Sequence, residues 1–234
     1  MQAPTALLER LRGVPGLDSG QRRLVLLLSQ LGDFDSMEYA QALVPVLPRL
    51  RAAGITTLAI AIGDQAGAER FCGYTGFPRQ ALQVEATAEL HQALGLYAGL
   101  QTPGGPWPGL LLMCAGIGSP GTLQEVLRGY SGDRTAPQRL NLPLFRAAGG
   151  EGFQRPFELA TVRLQNMAEV LGHWRTYVPR DDFITQRGGT FLLETDDTLL
   201  YSHRDRGILG FSATMNQPLA FLEPYLQAPD SGLG

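Results

Sequence analysis

The chain predicts an α/β fold in which helices flank a central mixed sheet. Three observations carry that reading: short unbroken apolar runs at 23–31 and 55–62, a helical stretch between them, and an alternating hairpin near 190–202. A strand, a helix and a second strand make a right-handed βαβ unit, and a hairpin added to such a unit makes the sheet mixed.

Residues 4–12 predict a short helix closed by Gly13-Val14-Pro15-Gly16. The run 23–31 is short, continuous and bounded by turn residues, so it reads as a buried strand. A helix from about 35 to 53 follows, with Leu43, Leu47 and Leu50 at i, i+4, i+7 spacing and Gly54 as its stop. Asp35 and Glu38 are spaced for a capping box, and Pro45 and Pro48 should kink this helix. Ile55 to Ile62 is a second buried strand, 65–75 a helix, and Leu82-Gln83-Val84-Glu85 a short third strand. Thr87 can cap a helix running to Leu96, with Leu90, Leu94 and Tyr97 inward. Beyond residue 98 the pattern loosens through Pro103-Gly104-Gly105-Pro106, then an apolar segment at 109–115, then a helix from Thr122 to Tyr130. The stretch 131–156 has little periodicity. A longer helix at 156–175 carries Leu159, Arg163, Met167 and Val170 on one side and ends before Pro179. The hairpin then follows, and a last helix lies near 214–226.

At 234 residues, with 44% hydrophobic and 18% charged, the chain can bury roughly 70% of its unfolded surface without staples. The net charge of −3 and the absence of a basic cluster give no footprint for nucleic acid. All nineteen basic residues are arginine, which excludes Schiff-base lysine, pyridoxal attachment and a P-loop lysine. Cys72 and Cys114 make no disulfide framework and read as packed free thiols, Cys114 the more firmly; a cytoplasmic location is the expectation. No apolar run is long enough to span a bilayer and no targeting segment stands out. His91, His173 and His203 lack metal-ligand spacing, so no metal is expected. No G-x-S-x-G elbow supports a serine hydrolase.

Gly116-Ile117-Gly118-Ser119-Pro120-Gly121 matches the dinucleotide pattern G-x-G-x-x-G, after an apolar run and before a helix. The ribose-binding acid that should follow about 20 residues on is missing from Thr135-Ala136-Pro137-Gln138-Arg139-Leu140.

The segment Gln186-Arg187-Gly188-Gly189-Thr190-Phe191-Leu192-Leu193, running on through Leu200-Tyr201-Ser202-His203-Arg204-Asp205, resembles one known group of proteins. So do Arg70-Phe71-Cys72-Gly73-Tyr74-Thr75-Gly76-Phe77-Pro78 and Ala88-Glu89-Leu90-His91-Gln92-Ala93-Leu94-Gly95-Leu96. That group is the peroxiredoxin-like branch of the alkyl hydroperoxide reductase and thiol-specific antioxidant (AhpC/TSA) family. The resemblance implies a thioredoxin-like fold in a single domain, 1–234, with a core at about 22–97 and 185–226 and a large, mostly helical insertion at about 98–184. The branch often has Gly-Cys-x-x-Cys at the first strand-to-helix junction, which falls on Gly32-Asp33-Phe34-Asp35-Ser36. Asp33 and Ser36 stand at both cysteine positions. The peroxiredoxin pattern Pro-x-x-x-Thr/Ser-x-x-Cys puts its cysteine near Glu38 and its threonine near Asp35, with no preceding proline. Arg187 lies close to the position of the arginine that steadies the thiolate and polarises peroxide in this family. Asp33, Ser36 and Arg187 thus mark a degenerate family site.

The leading expectation is a binding or assembly module in a redox context, with a protein partner, no cofactor, and the homo-oligomeric state left open. Trp107, Tyr130, Trp174 and Tyr177 could anchor an interface, against the plainer reading that they pack in a core. Two rivals stand beside it: a thiol peroxidase or oxidoreductase on Cys72 assisted by Arg187, against an inert Cys72 inside a helix, and nucleotide binding at Gly116, Gly118 and Gly121. Asp35 as a plain helix cap and Arg187 as a plain ion-pair partner are the structural alternatives at the junction.

Overall fold

A computed structural model describes residues 1–18, 20–140, 143–150 and 155–226. In chain order its elements are α1 (Thr5–Leu11), β1 (Arg22–Gln30), α2 (Phe34–Leu43), α3 (Leu47–Ala52), β2 (Ile55–Ile62), α4 (Gln65–Thr75), β3 (Leu82–Glu85) and α5 (Glu89–Ala93). Then come α6 (Pro106–Cys114), α7 (Thr122–Ser131), α8 (Pro143–Gly149), α9 (Arg155–Gly172), α10 (Trp174–Tyr177), β4 (Gly189–Leu193), β5 (Leu199–Arg204) and α11 (Glu223–Leu226). The strands form one sheet in the order β3-β2-β1-β4-β5. β1, β2 and β3 pair in parallel, while β4 runs antiparallel to β1 and β5 antiparallel to β4. The mixed α/β sheet expected from the sequence is therefore present.

β1 occupies the centre, and successive side chains of a strand point to opposite faces. Leu24, Leu26 and Leu28 enter a core with α2 and α4, whereas Val25 and Leu27 enter a second core with Leu7 and Leu11 of α1 and Leu90 of α5. Both faces are covered, which is why β1 reads as a continuous apolar run instead of an alternating one.

One irregularity in β1 matters for the site. Between Leu27, opposite Ile60, and Gln30, opposite Ile62, the register slips, so two residues face one. Within the slip lie the Leu28 carbonyl and the Ser29 amide, and side chains bond to both. The His91 Nε2 meets the Leu28 oxygen at 2.8 Å, and the Ser29 amide donates to Ser36 Oγ at 3.1 Å. His91 is fully buried, and burial lowers its pKa.

Several expectations need correction. The kinked helix is α2, one turn of 3-10 helix at Val44–Val46 and α3, as the prolines demand, but Leu47 is only half-buried. Thr87 caps nothing: α5 begins after Ala88 without a side-chain cap and ends at Ala93, leaving Tyr97 half-buried beyond it. The inward residues of α9 are Leu159, Val162, Asn166 and Val170, while Met167 is exposed. The closing helix shrinks to a 3-10 turn at Ala220–Leu222 and α11. The stretch 131–156 holds α8, and parts of it fall outside the described residues. Among the described residues no helix is long and apolar enough to cross a membrane.

Candidate functional site

The β1–α2 junction is built by the register slip and by Gly32. A Cβ at Gly32 would overlap Val178 Cγ2 and come within 3.2 Å of Tyr177 Cβ, so only glycine lets the segment after α10 close over the turn. The chain then enters α2 at Asp33, whose carboxylate accepts the Ser36 amide at 3.2 Å and the Ser36 hydroxyl at 3.1 Å. Asp33, not Asp35, is the helix cap. The helix starts two residues earlier than the capping-box spacing suggests, which turns Asp35 inward, where its Oδ2 accepts the Gly210 amide at 2.9 Å.

Arg187 reaches the same place from the segment before β4. It is 1% exposed, donates to the Thr185 carbonyl at 3.2 Å, and pairs through a terminal nitrogen with Asp33 Oδ1 at 3.2 Å. Three residues that the sequence marked as the degenerate site, Asp33, Ser36 and Arg187, thus stand together in one hydrogen-bonded unit.

Two further carboxyls surround them. Asp205, just past β5, is buried against Gly188, and a Cβ at Gly188 would strike the Leu27 carbonyl and reach within 3.1 Å of Asp205 Oδ2. Burial raises the Asp205 pKa well above the usual carboxylate range; Arg187 pulls it down and Asp33 pushes it up. Asp35 is raised in the same way, first by burial and then by Asp33, Asp205 and Glu38. Asp35 Oδ1 and Asp205 Oδ1 accept no hydrogen bond from the described residues, although His203 Nε2 lies 3.3 Å from the latter. Tyr39 closes the wall, its hydroxyl 2.9 Å from Thr190 Oγ1 and its ring stacked on Phe211.

Beyond this unit, Glu38 of α2 accepts from Arg139 at 3.1 Å and from Arg163 of α9 at 2.8 Å. Arg163 also reaches Glu125 of α7, which pairs with Arg128, which in turn holds Asp133. No local sequence signal marks Asp205 or Arg163 as neighbours of the junction, whereas the capping-box spacing and the peroxiredoxin pattern already place Glu38 there. Asp205 could be singled out only through the family-like segment containing it.

Of the two thiols expected to be packed, Cys72 is and Cys114 is not. Cys72 is packed in α4 with its thiol pushed up to about 11 by burial, and the charges acting on it are Arg79 and Glu69, not Arg187. Cys114, at the end of α6, is exposed instead of packed. Its thiol is raised mainly by burial of the sulfur, with Arg187 pulling it down and Asp33 pushing it up, so this cysteine lies within electrostatic reach of the guanidinium.

The apolar run before Gly116 is helix α6, so the glycine-rich loop joins two helices and lacks the strand that a dinucleotide fingerprint needs. Gly116, Gly118 and Gly121 all take positive φ to make that turn. Pro120 and Gly121 form one wall of a cavity of about 650 Å³ whose other walls include Arg128, His203, Arg204 and Met215. The aromatic residues divide: Tyr177 is core, Trp174 stacks at a tilt on exposed Trp107, and Tyr130 is 79% exposed. Among the described residues no three His, Cys, Asp or Glu side chains gather to hold a metal.

A family model described as AhpC/TSA antioxidant enzyme matches residues 42–207. The matched span starts after the junction and includes Arg187 and Asp205. No curated protein and no solved structure matches the chain.

Proposed function

Because this chain belongs to the AhpC/TSA antioxidant enzyme family, we propose that it keeps the family scaffold without a peroxidatic cysteine and acts as a non-catalytic binding or assembly module. The observation that carries the reading is the Asp33–Arg187 pair: a carboxylate caps α2 and neutralises the buried guanidinium that a thiolate would otherwise engage. A carboxylate cannot pass through the sulfenic acid that thiol peroxidases form and reduce again. The guanidinium is also engaged by the Thr185 carbonyl.

The test is peroxide consumption by the wild type beside a Cys72→Ser, Cys114→Ser double variant. Neither should exceed the uncatalysed rate. Asp33→Cys, placed at a helix N-terminus beside Arg187, should gain a thiol that iodoacetamide alkylates faster than free cysteine at neutral pH. Wild-type turnover that disappears in the double variant would overturn the reading.

A second reading is favoured by the exposure of Cys114. There the exposed thiol of α6 attacks the peroxide O–O bond to give a sulfenic acid and water, and a donor thiol later reduces it. Turnover lost in Cys114→Ser and kept in Cys72→Ser would select this reading.

A further inference from the structure

Helices α7 and α9 bury their charges and leave a row of large apolar side chains outside. All four charged residues of α9, Arg155, Glu158, Arg163 and Glu169, point inward into ion pairs, and so do Glu125 and Arg128 of α7. Leu159, Val162 and Val170 of α9 still face inward, but the other apolar residues of the two helices form an outward stripe. On α9, Phe157, Leu164 and Leu171 recur every seven residues and all are exposed; on α7, Leu123, Leu127 and Tyr130 follow i, i+4, i+7 spacing and are exposed too. A helix in a monomer shows the reverse arrangement, and α7 and α9 pack against each other.

We propose that two copies of this chain associate through the outward faces of α7 and α9. The proposal rests on the assembly-module reading and names its partner. Area supports it: the exposed parts of these six side chains amount to on the order of 700 Å² per copy, close to the roughly 800 Å² that each partner contributes to a stable interface. Charge supports it as well. A two-fold interface needs a patch that complements itself, and an uncharged apolar seam does so without setting like charges opposite each other. The seven-residue recurrence on α9 is the spacing by which helices pair along a seam. A lipid surface would call for cations bordering the apolar stripe, whereas the arginines of these helices are turned inward into ion pairs.

The experiment is sedimentation velocity with light scattering on the full chain, from low to high micromolar. The wild type should weigh twice the chain mass, and Leu127→Glu, Leu164→Glu should weigh as a monomer with an unchanged circular dichroism spectrum. Should that variant fail to fold, Leu164→Cys on the Cys72→Ser, Cys114→Ser background decides. Leu164 is the middle anchor of the seam, so mild oxidation should link two chains through it. A monomeric wild type, a folded Glu variant that stays dimeric, or absence of the cross-link would overturn the proposal. So would flotation of the wild type with phosphatidylcholine–phosphatidylglycerol vesicles that the Glu variant loses, which would assign the face to lipid. A monomer that leaves peroxide untouched removes this interface alone, while a dimer that consumes peroxide removes the non-catalytic reading alone.

Discussion

The β1–α2 junction and the layer beneath α7 and α9 both bury charge, and they balance it differently. At the junction one guanidinium, Arg187, faces three carboxyls, Asp33, Asp35 and Asp205. Under the helices three guanidinium groups, Arg128, Arg139 and Arg163, share three carboxylates, Glu38, Glu125 and Asp133. A matched network can stay ionised out of water because each charge has a partner and hydrogen bonds. A surplus of acid cannot, so the extra carboxyls hold their protons instead. The matched network orders helices whose outer faces are apolar, and the surplus of acid makes the junction sensitive to pH.

The sharpest way to break the comparison is Glu38→Ala. It strips the shared partner from Arg139 and Arg163, and an uncompensated buried charge costs about 3–5 kcal/mol, read as a lower urea midpoint. Next comes Gly188→Ala, whose methyl group meets the Leu27 carbonyl and crowds Asp205; overpacking of this kind should cost about 1–3 kcal/mol.

The pH dependence sharpens the contrast. Folded Asp35 and Asp205 retain protons above the ordinary carboxylate range, so there the folded state binds more protons than the unfolded one, and stability falls as pH rises through that window. Asp35→Asn keeps an acceptor for the Gly210 amide and removes the ionisation. It should gain on the order of 1 kcal/mol at alkaline pH, about 2–4 °C in Tm, and flatten the profile. The smallest effect belongs to neither region: the exposed Arg49–Glu223 pair should yield less than about 0.5 kcal/mol on Arg49→Ala.

Much of the sheet was legible because buried parallel strands write themselves as near-continuous apolar runs, as β1 and β2 do, while β3 at the edge shows as the alternation Leu82-Gln83-Val84-Glu85. Helix faces were less legible. Reading α9 by apolar spacing put Met167 inside and left Asn166 out, because the rule that charge faces water fails once each charge has a buried partner. At the junction, Asp35 with Glu38 three residues on satisfied the capping pattern, yet Asp33 with Ser36 occupies it. The deciding fact is the register slip in β1, which supplies a backbone amide for Ser36 and leaves no trace in composition. Asp205 arrives from the far end of the chain, a distance that no local pattern encodes.

His91 holds the other half of that slip, and its lowered pKa carries the opposite sign from the acids. An imidazole that binds a proton less readily when folded loses its contribution as pH falls through its ordinary value of 6.5. The central strand is therefore pinned on one side by a ring that must stay neutral and ends at carboxyls that prefer to stay protonated. Acid loosens the first and alkali the second, so the C-terminal end of β1 responds to pH from both directions.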